Sequence, residues 1–121
     1  MAALSSKLRS VAFDMSGNRT GIAFFCPGCQ ESHAIATHGA TAPIWQWDGN
    51  VDAPSVQPSI NVTSRRGDIQ TICHSFVRAG QIEFLGDCTH ALAGQIVPIP
   101  DWPRGDEADF YLSPPHDKAI L

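Results

Sequence analysis

Ile69-Gln70-Thr71-Ile72-Cys73-His74-Ser75-Phe76-Val77, then Arg78-Ala79-Gly80-Gln81, then Ile82-Glu83-Phe84-Leu85, is the stretch on which the fold turns. Two runs rich in β-branched and aromatic residues flank a short glycine-containing break, the pattern of an antiparallel hairpin. With Ala79-Gly80 as a two-residue turn, Cys73 faces Gly86 and Cys88 faces Thr71. That register sets Cys73 and Cys88 on one face as diagonal neighbours, with a glycine opposite Cys73 leaving it room. The same parity turns His74 to the other face, beside Leu85 and diagonal to Asp87.

Outward from the hairpin, the pattern repeats in short pieces. Val11, Phe13 and Met15 alternate ahead of a Gly17-Asn18 turn. Residues 20–25 form a compact apolar run into Cys26, and residues 33–37 read as its returning strand, with Pro27-Gly28 as the knuckle. Ile44, Trp45 and Trp47 make another candidate, stopped by Asp48-Gly49-Asn50. Residues 59–62 enter from Pro58, and residues 95–99 carry Pro98, which confines them to an edge. Only residues 3–10 and 89–93 suggest helix, one turn each. Many short strands at close spacing predict an all-β domain, an antiparallel sandwich or rolled sheet. Its expected extent is residues 1–112, with Phe110-Tyr111-Leu112 returning to the core and residues 113–121 as a C-terminal tail.

Composition agrees. The 121 residues are 43% apolar and 17% charged, with ten glycines and nine prolines. That is too apolar for a disordered chain and too often punctuated for a helical bundle. Twelve acids against eight bases give a net charge of −4, so no basic footprint for nucleic acid is expected. Arg65-Arg66 reads as a solvated turn. No apolar stretch is long enough to span a membrane, and residues 1–7 lack the pattern of a secretory signal. The expected place is the cytoplasm, where structural disulfides are rare and four cysteines need another explanation.

Cys26-Pro27-Gly28-Cys29 is a knuckle that aims two sulfurs at one point, and a tetrahedral metal needs a second pair. Cys73 and Cys88, brought together by the hairpin register, are that pair. The expectation is a structural zinc site of Cys26, Cys29, Cys73 and Cys88, with His33 and His90 in reserve. Four sulfurs would close the site, whereas three protein ligands and a water would make it catalytic. A redox reading of the CxxC wants a following helix to lower the thiol pKa, and the residues after Cys29 turn quickly instead. A zinc deaminase needs a His-x-Glu element, which the sequence lacks. Ser59, behind Pro58, and His74, with Asp87 as a third group, are the residues from which a nucleophilic serine could be built. Trp45 and Trp47 alternate onto one face and are candidates for core or for a binding surface.

The combination Phe25-Cys26-Pro27-Gly28-Cys29 with His33, Trp47-Asp48-Gly49, Pro58-Ser59-Ile60, Cys73-His74-Ser75-Phe76-Val77 and Asp87-Cys88-Thr89-His90 resembles a family of small phage and prophage zinc-binding proteins, whose members often carry the misleading name ammonia monooxygenase. The resemblance implies a zinc-binding domain of phage origin, and the four cysteines match it. The Pro58-Ser59-Ile60 and His74-x-Phe76 elements are distantly similar to those of the peptidase component of bacterial ubiquitin-like conjugation operons. That similarity implies Ser59 as nucleophile and His74 as general base, and the hairpin register adds Asp87 as the orienting acid. Two expectations follow. One is a peptidase-like hydrolase acting on a protein, with zinc as its staple. The other is a non-catalytic module, phage-structural or host-binding, that holds a protein partner through Trp45 and Trp47.

Overall fold

A computed structural model describes residues 2–103. They form nine strands: β1 (Ala2–Ala3), β2 (Arg9–Ala12), β3 (Thr20–Cys26), β4 (Glu31–His38), β5 (Gln46–Trp47), β6 (Val56–Arg66), β7 (Ile69–Arg78), β8 (Gln81–Phe84) and β9 (Ile96–Pro98). There is no helix among the described residues, and hence none long and apolar enough to cross a membrane. Two sheets result, β1-β2-β3-β4 and β5-β6-β7-β8-β9, each strand antiparallel to its neighbour within the sheet. The expected return of Phe110-Tyr111-Leu112 and the tail at 113–121 lie outside the described residues.

The deciding hairpin forms in the expected register, with Arg78 opposite Gln81 and Ser75 opposite Phe84. Ala79 and Gly80 both take positive φ, 50° and 79°, as a type I′ turn requires to match the twist of its strands. Alanine tolerates this because its N–H is held by Ser55 Oγ at 2.8 Å, while the Gly80 N–H bonds the Pro54 carbonyl at 2.9 Å.

One core lies between the sheets. Leu8, Ile22, Phe24, Cys26 and Ile35 from the first meet Ile60, Val62, Cys73, Val77, Ile82 and Phe84 from the second. Each large side chain buried this way contributes about 1.5–3 kcal/mol. Residues 20–25 do not alternate because β3 is covered on both faces. Ala23 and Ala34, on its outer side, pack beneath Trp102, whose ring donates to the Lys7 carbonyl at 2.9 Å. A sheet buried on both faces has no polar side to display.

Three local expectations change. Residues 3–10 are not a helical turn but the β1–β2 hairpin, in which Ala2 pairs with Ser10 and Leu4 N–H closes on the Leu8 carbonyl. Residues 89–93 are a succession of turns, since an Ala93–His90 backbone bond at 3.3 Å has no helical continuation. Trp45 is only 3% exposed and belongs to the core, so it is not on a surface with the half-buried Trp47. Strand β9 sits at the edge of its sheet, where Pro98 costs no ladder bond.

Candidate active site and metal centre

Strand β7 carries both halves of the site, because alternation sends Cys73 inward and His74 outward. Cys73 is buried in the core and His74 is half-buried on the opposite face.

On the inner side, β3 ends at Cys26 and the chain turns back through Cys29, closed by a Gln30 N–H bond to the Cys26 carbonyl at 2.8 Å. Within this turn the Cys29 N–H donates to Cys26 Sγ at 3.4 Å. Cys26 Sγ and Cys73 Sγ are 3.9 Å apart, far beyond a disulfide bond, and all four cysteines are free. The fourth member is His90. One ligand atom from each of Cys26, Cys29, Cys73 and His90 lies within 4.8 Å of the others. The His90 ring stands edge-on to Phe84 at 4.6 Å, and its Nδ1 accepts the Leu92 N–H at 3.2 Å. Its Nε2 is buried with no hydrogen-bond partner.

Three thiols and an orphaned imidazole nitrogen are a donor set suited to zinc. Sulfurs bound at about 2.3 Å to a tetrahedral ion sit roughly 3.8 Å apart, close to the separation of Cys26 and Cys73. Hydrogen bonds from Cys29 and Cys73 hold Cys26 far below the usual thiol range. Hydrogen bonding to Cys26 raises Cys29 to about 12 and, with a further bond to Cys29, pushes Cys73 well up.

Cys88, expected as the fourth ligand, is not in this group. Pairing of β8 stops at Phe84, and residues 85–88 turn back on themselves through a Cys88 N–H bond to the Leu85 carbonyl at 3.2 Å. The chain then meets β7 two residues away from the extrapolated register, with Thr89 bonded to Ile72 on both of its backbone groups. Cys88 Sγ therefore lies against the backbone of His74, accepting its N–H and donating to its carbonyl, each at 3.2 Å. His90, two residues on, reaches the thiols. His33 is buried against Phe24 and is not one of the four. The redox geometry is absent too, since strand β4, not a helix, follows the knuckle.

On the outer side a register shift shapes the arrangement. Val56 pairs with Val77 and Ile60 with Ser75, so Gln57, Pro58 and Ser59 together oppose Phe76 alone. Such a bulge bends its strand and re-aims side chains, and Pro58 has no N–H to lose from the ladder. Ser59 Oγ comes 3.1 Å from His74 Nε2, and His74 Nδ1 lies 3.2 Å from Asp87 Oδ2. An ionised carboxylate can only accept, so Nδ1 carries the imidazole proton and Nε2 is left to accept from the serine hydroxyl. The tight turn that removes Cys88 from the thiols is what brings Asp87 to His74. The His74 backbone is fixed by Cys88, and the Ser59 carbonyl accepts the Trp45 indole N–H at 3.3 Å.

The sequence-expected Ser59, His74 and Asp87 thus stand in line. Cys26, Cys29 and Cys73 meet as expected, and His90 rather than Cys88 completes their group. His90 was expected only as a reserve ligand, and no sequence signal promoted it, because residues 89–93 are turns to which strand parity does not apply. Trp45 had no such signal either.

Residues 3–85 match the model of a family described as bacterial ubiquitination-like system serine protease (BubE). The match spans Ser59, His74 and the three clustered cysteines and stops short of Asp87 and His90. No curated protein and no solved structure matches.

Proposed function

The chain belongs to the bacterial ubiquitination-like system serine protease family, and from that premise we propose that it is a serine hydrolase that cleaves a protein substrate. The observation that carries the reading is the continuous line from Ser59 Oγ through His74 to Asp87, at 3.1 and 3.2 Å. Ser59 Oγ attacks the scissile carbonyl carbon while its proton passes to His74 Nε2. Asp87, beside Nδ1, stabilises the imidazolium that forms. The same proton then goes to the leaving amine as the C–N bond breaks. Water, deprotonated by His74, hydrolyses the acyl–serine ester and restores the hydroxyl.

The metal in this reading is zinc, held by Cys26, Cys29, Cys73 and His90. Four protein ligands leave no open position, so the ion supplies folding free energy rather than chemistry. The ligands come from β3, its turn, β7 and the segment after β8, and the ion would tie the two sheets together directly behind His74. A phage or prophage origin and a cytoplasmic place of action complete the proposal and rest on the sequence resemblance and pattern.

The test is labelling by an alkyl fluorophosphonate, which reacts with activated serines. The wild-type protein is expected to label and Ser59→Ala to lose all labelling. An unreactive wild-type protein, or label that survives in Ser59→Ala, refutes the reading.

A further inference from the structure

Ser59 stands where β6 loses its outer neighbour. Strand β5 pairs with Val56 and Gln57 only. From Ser59 to Arg66, β6 has β7 on one side and, among the described residues, no strand on the other. Which backbone groups face that open side follows from β7. The His74 N–H and carbonyl are engaged by Cys88 and Leu85, and those of Ile72 by Thr89, all away from β6. Asn61 and Thr63, directly opposite His74 and Ile72, are therefore the non-hydrogen-bonded members of the ladder. Their own N–H and C=O groups point outward, and Arg65 follows by parity. The Ser59 carbonyl points the same way, since it accepts from the Trp45 indole. Thr63 and Arg65 are exposed and Asn61 is half-buried.

A row of outward amides on an exposed strand is a template for pairing with another chain. We infer that residues 61–65 of β6 are the substrate-binding edge of this enzyme, taking an extended peptide segment as an added strand. This rests on the hydrolase reading. An added strand would run about 4.8 Å from β6, in the lane that β5 fills at Gln46–Trp47. The Trp45 indole closes that lane at Ser59. A bound segment must end there or rise out of the sheet plane, toward the face on which Ser59 Oγ and His74 lie. The edge thus delivers a main-chain carbonyl to the nucleophile. Recognition through main-chain groups selects a substrate class: an extended chain terminus or linker, not a folded surface. Side-chain preference would be confined to alternate positions of the segment.

The experiment compares two reagents on the full chain: the alkyl fluorophosphonate, which carries no peptide, and a pooled set of tripeptidyl diphenyl phosphonates. N-methylating the internal amides of the peptidyl pool removes the donors an added strand needs. It is expected to slow inactivation of the wild-type protein at least about tenfold, the worth of one or two hydrogen bonds. Thr63→Pro removes an outward N–H from the protein and is expected to lower the ratio of peptidyl to alkyl rates by a similar factor. Equal rates for methylated and unmethylated pools overturn the inference even if Thr63→Pro fails to fold. No reaction of the wild-type protein with either reagent overturns the hydrolase reading, and the edge assignment with it. Alkyl labelling without any peptidyl inactivation overturns the edge alone.

Discussion

Gly28→Ala tests the metal centre through a residue that is not itself a ligand. A Cβ built on Gly28 lies 2.5 Å from Nε2 and 2.7 Å from Nδ1 of His90, whereas relaxed contact needs about 3.5 Å. The ring would have to retreat by roughly 1 Å. Phe84 stands against it at 4.6 Å between centroids, so retreat means swinging away from the thiols. Metal–ligand distances tolerate only about 0.2 Å, and disturbing a ligand's support costs about 10–100-fold in affinity. That is roughly 1.4–2.8 kcal/mol of binding energy. Gly28 is not among the glycines with positive φ, so the loss comes from the methyl group and not from backbone strain. Competition for Zn2+ against a chromophoric chelator reads the effect, with His90→Ala as the reference for complete loss of the ligand. Zinc affinity within twofold of wild type in Gly28→Ala would refute both the placement of His90 and the reasoning from it.

Three further outcomes are expected. Cys88→Ala should keep one tightly bound zinc per chain while Cys73→Ala loses it. Cys88→Ala should still cost about 1 kcal/mol in thermal or denaturant unfolding, because the His74 N–H loses its sulfur acceptor; loss of zinc from Cys88→Ala would restore the four-cysteine set. Zinc affinity should rise with pH. Hydrogen bonding to the charged Cys26 raises Cys29 to about 12 and pushes Cys73 up as well, so both are protonated near neutrality and must lose protons to bind. Acidification then weakens binding by up to about two decades per pH unit, and chelator competition between about pH 6 and 8 would expose a flat profile. Asp87→Asn should slow fluorophosphonate labelling about 10–100-fold, less than for a fully buried triad acid, because the Asp87 side chain is 53% exposed. An unchanged labelling rate would remove Asp87 from the mechanism.

The metal centre and the serine line share one piece of chain. Residues 85–90 place Asp87 on His74, Cys88 on the His74 backbone and His90 among the thiols. Anything that releases His90 loosens the segment that holds Asp87. In the proposed reading, an ion held by His90 and the thiols would keep that segment, and with it Asp87, in one packed arrangement without touching the substrate.

Much of this was legible in one dimension. Period-two alternation, turn chemistry at Ala79-Gly80 and the prolines near the edge strand are local signals, and they determine an antiparallel all-β chain and the register of its principal hairpin. The same alternation turns His74 away from Cys73, but the turn after Phe84, and not the hairpin register, is what sets Asp87 against His74. What escaped is whatever depends on where regularity stops. The end of β8 at Phe84 and the turn that follows exchange Cys88 for His90, and no propensity marks a two-residue slip against a neighbouring strand. The bulge at residues 57–59, which re-aims Ser59, is signalled by Pro58 but is shaped only by pairing with β7. Trp45 reads equally well as surface or core until a second sheet covers it. The sequence by itself determined the all-β class, the strand pairs that carry Cys26 and Cys73, and the residue types available for chemistry; it missed the β1–β2 hairpin and the end of β8. Only the tertiary structure decided which four atoms meet and which edge lacks a neighbouring strand among the described residues, because both are set by contacts between segments distant in sequence, whose geometry no local pattern encodes.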